Sequence, residues 1–160
     1  MNNKDKIAIA ADHGGWRLKE ILKPFLEGLG YKYADFGTSS AKSVDYPDFA
    51  LALAEAVRAG KYKKGILICG TGLGMSMSAN KIPGIRAALC NDMFCAKMSR
   101  EHNDANILTI GGRVVEEELA KEIVKVWLQT KFSNALRHKQ RIRKIKQIEK
   151  KYMRTSKAGI

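Results

Sequence analysis

The sequence predicts a three-layer αβα sandwich on a five-stranded parallel sheet, a Rossmann-like α/β fold in a single domain. Five short apolar runs alternate with helix-length amphipathic stretches along the 160 residues, which is the pattern of a parallel sheet with crossover helices. The run Ile66–Ile68 is apolar without alternation, as expected of a strand buried on both faces. No linker or repeat divides the chain, so we expect residues 1–152 to form one domain, followed by a flexible basic tail at 153–160.

The first half of the chain is predicted to supply three strands and two helices. The first strand is Lys6–Ala11, and apolar residues at 18, 21, 22, 25, 26 and 29 then form a regular helical stripe. The second strand is Tyr31–Phe36. The second helix, Asp48–Ala59, follows Pro47, which suits a first helical position. The third strand is Gly65–Cys69.

The second half continues the alternation and ends in two amphipathic helices. Pro83-Gly84 breaks the chain before the fourth strand, and the polar turn Glu101–Asp104 precedes the fifth. The predicted elements are, in order, a helix at about 75–81, a strand at 85–90, a helix at 92–100, a strand at 105–110, a helix striped from Val115 to Trp127, and a helix from near Leu136 to Arg154.

The loop after the third strand, Cys69-Gly70-Thr71-Gly72-Leu73-Gly74, is the strongest single chemical signal. Its glycines allow a tight turn and bring backbone N–H groups close to a ligand. The helix that follows adds free N–H donors and the positive end of its dipole. A thiol at this position is a candidate base or nucleophile. The alternative is a glycine-rich turn with a buried, inert cysteine.

Other polar residues follow the first and fifth strands. Ligands bind beyond the carboxyl ends of the strands in such sheets, which singles out Asp12 and His13 after strand one and Arg113 after strand five. The turn with His102 and Asn103 precedes strand five, so it starts at the opposite edge. It therefore needs another route to the same site, such as a partner subunit.

The basic charge is concentrated near the C-terminus. Residues 137–160 contain ten Lys and Arg and one acid, which accounts for +9 of the net +13. This segment is either a nucleic-acid contact or a solvated amphipathic helix whose first arginines bind a small anion. We favour the second interpretation, because no nucleic-acid-binding motif accompanies the charge.

Composition narrows the location of the protein. Three cysteines, an odd number without metal-ligand spacing, indicate reduced thiols in the cytoplasm. No apolar run reaches the length of about 18 residues that a membrane span needs. The polar N-terminus leads straight into a strand, so we expect no signal peptide.

Several motifs together resemble one known family. They are Asp12-His13-Gly14-Gly15, Asp45-Tyr46-Pro47, Ile68-Cys69-Gly70-Thr71-Gly72-Leu73-Gly74, Ala79-Asn80-Lys81, Ser99-Arg100-Glu101-His102-Asn103-Asp104 and Gly112-Arg113-Val114-Val115. In this order they resemble the type B ribose-5-phosphate isomerases, a family of sugar-phosphate isomerases, from Lys6 to about Tyr152. The resemblance implies interconversion of ribose 5-phosphate and ribulose 5-phosphate in the non-oxidative pentose phosphate pathway. It further implies that no metal or organic cofactor is needed, and that a homodimer, or a tetramer, shares its active sites between subunits.

The resemblance also implies a role for each matched position. Cys69 matches the base that moves a proton between C2 and C1, and His102 matches the residue that assists opening of the furanose ring. The enediolate is stabilised by the Thr71 hydroxyl and by the amides of Gly70, Gly72 and Gly74. The residues that line the sugar are Asp12, Tyr46 and Asn103. The phosphate-binding residues are His13, Arg113, Arg137 and Arg141, of which the last two lie one helical turn apart.

Two departures from the family pattern bear on this assignment. Some relatives use a carboxylate as base at the position of Met75, so this chain belongs with the members that use cysteine. Many relatives have glycines before the first phosphate arginine, where this chain has Ser133-Asn134-Ala135-Leu136. The resemblance therefore does not fix the position of Arg137.

Two other enzymatic or binding functions remain open. One is isomerisation of a six-carbon substrate such as allose 6-phosphate. The other is a dinucleotide-binding module, since strand, glycine loop and helix are followed by Asp92 about 20 residues further on. However, the spacing Gly70-x-Gly72-x-Gly74 departs from the dinucleotide fingerprint.

Overall fold

Residues 6–155 are described by the structure, a computed structural model. The five strands are β1 (Lys6–Ala11), β2 (Lys32–Asp35), β3 (Gly65–Cys69), β4 (Ala87–Leu89) and β5 (Ile107–Gly111). The six helices are α1 (Trp16–Gly28), α2 (Tyr46–Arg58), α3 (Leu73–Ala79), α4 (Met93–Glu101), α5 (Glu117–Gln129) and α6 (Leu136–Thr155). The predicted α/β fold in a single domain is confirmed.

All neighbouring strands are parallel, in the order β2-β1-β3-β5-β4. The carboxyl ends of the strands therefore share one edge of the sheet, the carboxyl edge, and the other edge is the amino edge. Because β3 pairs with β1 on one side and β5 on the other, the loops after these three strands meet at the centre of the carboxyl edge.

The central strand β3 is buried along its whole length, as its apolar run predicts. Ile66 and Ile68 pack in a cluster with α1, α4 and α5. Leu67 and Cys69 face the opposite side, toward α2 and α3. Each buried aliphatic side chain of this kind contributes about 1.5–3 kcal/mol of transfer free energy. The strand that ends in Cys69 is thus fixed by helix layers on both faces.

The structure corrects two predicted boundaries. Helix α3 begins at Leu73, two residues before the expected start, because Gly72 turns the chain with φ +78°. Strand β4 has three residues instead of the six predicted at 85–90. Side chains of other segments take the N–H groups at its start: Arg86 N donates to Asn106 Oδ1 and Ala87 N to Asn80 Oδ1.

The last helix, α6, extends to Thr155, so residues 153–155 of the predicted tail are helical. Residues 156–160 lie outside the described residues. Among residues 6–155, no helix has the length and apolar character needed to cross a membrane. Within the same range, no group of His, Cys, Asp and Glu side chains could hold a metal ion.

Candidate active site

The loops after β1, β3 and β5, together with Tyr46 at the start of α2, bring six predicted site features together at the carboxyl edge. We call this group the carboxyl-edge cluster: Asp12, His13, Tyr46, Cys69, the loop Gly70–Gly74 and Arg113. The loops are joined through their backbones, since Gly112 N donates to Cys69 O (2.8 Å) and Arg113 N donates to Gly70 O (3.0 Å). A Cβ atom at Gly14 would lie 2.9 Å from Gly70 N, so only glycine permits this approach.

Cys69 lies at the end of β3 with its thiol almost covered, 4% of the residue being exposed. Its Sγ accepts the N–H of Gly72 at 3.1 Å. A backbone donor aimed at sulfur stabilises negative charge there. Met75, where some relatives have a carboxylate, is fully buried in the core beneath α3. Of these two positions, only Cys69 therefore carries a side chain that can gain or lose a proton.

The Asp12 carboxylate organises the loop after β1. Its Oδ1 accepts the N–H groups of Gly14 (2.8 Å) and Gly15 (3.1 Å), and the residue is 5% exposed. One carboxylate oxygen is thus committed to the backbone, and a sugar hydroxyl would meet Oδ2. Asp12 therefore fixes the backbone of the loop after β1.

His13 has one ring nitrogen occupied and one available. Its Nδ1 accepts the N–H of Val44 at 3.2 Å. A neutral ring in this arrangement carries its proton on Nε2. The imidazole therefore presents an N–H donor, as a phosphate-binding group requires.

Tyr46 and Arg113 border the glycine loop on its two sides. The Tyr46 ring lies over Gly74, where a Cβ atom would be 2.6 Å from ring carbons. The Arg113 guanidinium lies beside Gly70, where a Cβ atom would be 3.3 Å from Nη1. Thr71 is exposed, and its Oγ1 accepts the N–H of Leu73 at 3.4 Å. The loop amides thus lie between an aromatic ring and a cation.

The other predicted site residues lie at the amino edge. We call them, with His138, the amino-edge cluster: His102, Asn103, Arg137, His138 and Arg141. His102 caps the C-terminus of α4, and Asn103 O accepts Arg86 Nε (2.9 Å) just before β4 begins. Arg137 and Arg141 lie exposed in the first turns of α6. As the order of the elements predicts, one chain does not bring these residues to Cys69.

A pair of histidine rings forms the centre of the amino-edge cluster. The ring centroids of His102 and His138 are 4.2 Å apart, with an angle of 37° between the ring planes. His138 is 3% exposed, and its Nδ1 is 2.7 Å from Ser133 Oγ. Burial, followed by the positive charges of His102, Arg137 and Arg141, lowers the pKa of His138. Both effects favour the neutral form of His138.

Sequence reasoning assigned no role to His138, although a signal was present. His138 lies four residues before Ile142 and thus on the buried face of α6. The missing glycines before Arg137 also find an explanation. Asn134 adopts φ +59°, a left-handed conformation that asparagine tolerates better than most residues. The chain can therefore turn into α6 without a glycine.

Comparisons with known proteins agree with this architecture. The solved structure of ribose-5-phosphate isomerase B from Clostridium thermocellum superposes with a TM-score of 0.90 at 56% identity, covering 92% of this chain and 99% of that one. Ribose-5-phosphate isomerase B of Escherichia coli is 46% identical over 146 residues, 91% of this chain and 97% of the relative. D-Erythrulose-4-phosphate isomerase of Pectobacterium atrosepticum is 42% identical over 127 residues, 79% of this chain and 84% of the relative.

The fold, the thiol-bearing glycine loop and these similarities define a sugar-phosphate isomerase of the aldose–ketose class. The model of one family, described as Ribose/Galactose Isomerase, matches residues 7–145. The chain belongs to this ribose/galactose isomerase family, and the resemblance to its type B ribose-5-phosphate isomerases is confirmed.

Proposed function

We propose that this enzyme interconverts ribose 5-phosphate and ribulose 5-phosphate, with Cys69 as the base. The observation that carries the proposal is the position of the Cys69 thiol. It receives an N–H group from its own glycine loop and lies between loops that carry His13 and Arg113. The relatives named for this reaction add support.

Proton transfer follows from this arrangement. The Cys69 thiolate removes the proton from C2 of the open-chain aldose, so the C2–H bond breaks and an enediolate forms. N–H groups of Gly70–Gly74 and the Thr71 hydroxyl stabilise the charge on the oxygens. The first turn of a helix leaves its N–H groups without intrahelical acceptors, and Gly72 N and Leu73 N, which donate to Cys69 Sγ and Thr71 Oγ1, would turn to the enediolate when it forms. The thiol then gives its proton to C1, and the hydroxyl proton of O2 ends on O1, which yields the ketose.

Ring opening requires a second set of groups. Opening the furanose moves the proton of the anomeric hydroxyl to the ring oxygen, and the His102 imidazole is suited to deliver it. His102 lies at the amino edge, away from the Cys69 of its own chain. We therefore propose a homodimer in which each site combines the carboxyl-edge cluster of one protomer with the amino-edge cluster of the other. Two such dimers could form a tetramer.

Surface features of α6 support this assembly. Large apolar side chains are exposed along the helix, namely Leu136, Ile145, Ile148 and Tyr152. Beside them lies a groove of about 710 Å³ that includes Asn103 and Arg86. In the dimer, His13 and Arg113 would bind the phosphate from one protomer and Arg137 and Arg141 from the other. Four donors of this kind match a phosphate dianion.

The free cysteines of the described chain fit the cytoplasmic location that the sequence predicts. The length of the sugar is a separate question, since one relative is named for a four-carbon substrate. The decisive experiment measures kcat/KM of the purified protein for ribose 5-phosphate, allose 6-phosphate and erythrulose 4-phosphate in parallel. We expect the highest value for ribose 5-phosphate. A higher kcat/KM for another of these sugar phosphates would make that compound the proposed substrate instead of ribose 5-phosphate. Absence of turnover with all three would reject the proposed function.

A further inference from the structure

His102 has few contacts that fix the direction of its ring. Its side chain is 37% exposed, and Nε2 is 3.8 Å from Glu101 Oε1, too far for a hydrogen bond. The closest ring contact is with His138, at 4.2 Å between centroids. A group that delivers a proton to one substrate oxygen must be held in a narrow range of orientations. The orientation of His102 therefore depends on what holds His138.

His138 is fixed by Ser133. Ser133 Oγ accepts the N–H of Ala135 (3.3 Å) and lies 2.7 Å from His138 Nδ1. Because the oxygen accepts the hydrogen bond from Ala135, the hydroxyl proton is free to point to Nδ1. The lowered pKa of His138 agrees with Nδ1 acting as acceptor, which leaves the ring proton on Nε2. Ser133 N also donates to Glu101 O (3.0 Å), which joins this segment to the end of α4.

We infer that Ser133 and His138 are positioning residues that hold the His102 imidazole in a fixed relation to Arg137 and Arg141. Neither residue needs to touch the substrate. His138 lies between Arg137 and Arg141 in the first turns of α6, so its contact with His102 sets the spacing between the proton donor and the phosphate-binding side chains. This inference rests on the proposed function.

Two measurements separate ring opening from proton transfer. The first is kcat for ribose 5-phosphate, which includes ring opening. The second is incorporation of solvent deuterium at C1 of ribulose 5-phosphate, followed by NMR. This ketose cannot close a furanose through its phosphorylated C5 oxygen, so the exchange reports the action of Cys69 alone. His102→Asn serves as the benchmark, since it should lower the first rate far more than the second.

Ser133→Ala should reproduce this pattern in milder form. We expect kcat to fall about tenfold, which corresponds to about 1.4 kcal/mol in the barrier, with little change in KM or in deuterium exchange. Ser133→Thr keeps the hydroxyl and should restore kcat. The melting temperature of each variant identifies any case in which the loss of activity is due to unfolding. In the wild-type protein, long-range ¹H–¹⁵N correlation spectra should assign His138 to the Nε2–H tautomer.

Three results would overturn the inference while the proposed function stands. They are an unchanged kcat in folded Ser133→Ala, equal losses of kcat and exchange, and an Nδ1–H tautomer of His138 in the wild type. A wild-type protein that turns over neither sugar phosphate would instead reject the proposed function, and the positioning role with it.

Discussion

Two inactive variants of this chain should regain activity when they form mixed dimers. Cys69→Ala removes the base from the carboxyl-edge cluster, and His102→Asn removes the ring-opening residue from the amino-edge cluster. Because these residues lie at opposite edges of one sheet, the proposed dimer takes them from different protomers. A mixed dimer then has one site that lacks both residues and one site in which both are intact.

The size of the recovery follows from counting sites. Random association of equal amounts gives mixed dimers in half of the population, and one of the two sites in each is intact. Activity per mole should therefore reach about a quarter of the wild-type value. A tetramer built from two such dimers gives the same fraction.

The assay needs free exchange of protomers and a matched control. Coexpression with two affinity tags, or unfolding and refolding of a mixture, supplies the mixed dimers, and a coupled assay on ribose 5-phosphate measures turnover. The control combines Cys69→Ala with Asp12→Asn. Both changes affect the carboxyl-edge cluster, so no mixed dimer has an intact site and activity should stay at the level of the parents.

Either of two results would refute the shared site. Activity of the Cys69→Ala and His102→Asn mixture equal to the mean of its parents, in verified mixed dimers, would place each complete site within one protomer. Recovery of activity in the Cys69→Ala and Asp12→Asn control would show that Cys69 and Asp12 of one site come from different protomers, and that the carboxyl-edge cluster does not enter a site as a whole.

Three further results are expected. Cys69→Ala should abolish both isomerisation and deuterium exchange but leave sugar-phosphate binding, measured by calorimetry, largely intact; near-wild-type turnover would make the thiol a packing group only. Replacing both Arg137 and Arg141 with Ala should raise KM, because each charge-assisted contact is worth about 1.5–3 kcal/mol. Truncation after Tyr152 should alter neither KM nor kcat. If the truncation instead weakens a salt-dependent binding of DNA or RNA and the arginine pair does not, the nucleic-acid alternative is favoured. Burial, followed by the charge of Arg100, lowers the pKa of Lys64 from 10.5 to about 8, so above that pH the unfolded state binds more protons than the folded state and the free energy of unfolding increases with pH. The melting temperature of the wild type minus that of Lys64→Met should therefore increase between about pH 7.5 and about pH 10. A difference that stays constant over this range would contradict the prediction.

Most of the fold was predictable because it depends on local patterns. The apolar run of β3 and the helical stripe of α1 each specify an element without information from distant residues. The start of strand β4 was predicted too early because it depends on Asn80 and Asn106, whose side chains take the N–H groups there. Such tertiary hydrogen bonds leave no periodic signal in the sequence.

The candidate site was predictable in part for a similar reason. Parallel strands place Asp12, Cys69 and Arg113 at one edge whenever they follow neighbouring strands, and the order of elements places His102 at the other edge. The contact between His102 and His138 could not be anticipated, because it depends on how α6 packs against the end of α4. The left-handed conformation of Asn134, which orients that helix, is likewise a property of one residue in its tertiary setting.

The contact of main chain with main chain at Gly14, Gly70 and Gly112 has a consequence for directed evolution. Substitutions at loop positions other than these glycines and the proposed site residues can change side chains without moving the amide groups, so variants at those positions should keep the proton-transfer step. Gly14 and Gly112, where a Cβ atom would lie 2.9 Å from a backbone atom, should tolerate almost no replacement. Selection for a longer or shorter sugar would therefore act through residues that border the loops, such as Tyr46, and would leave the chemistry unchanged.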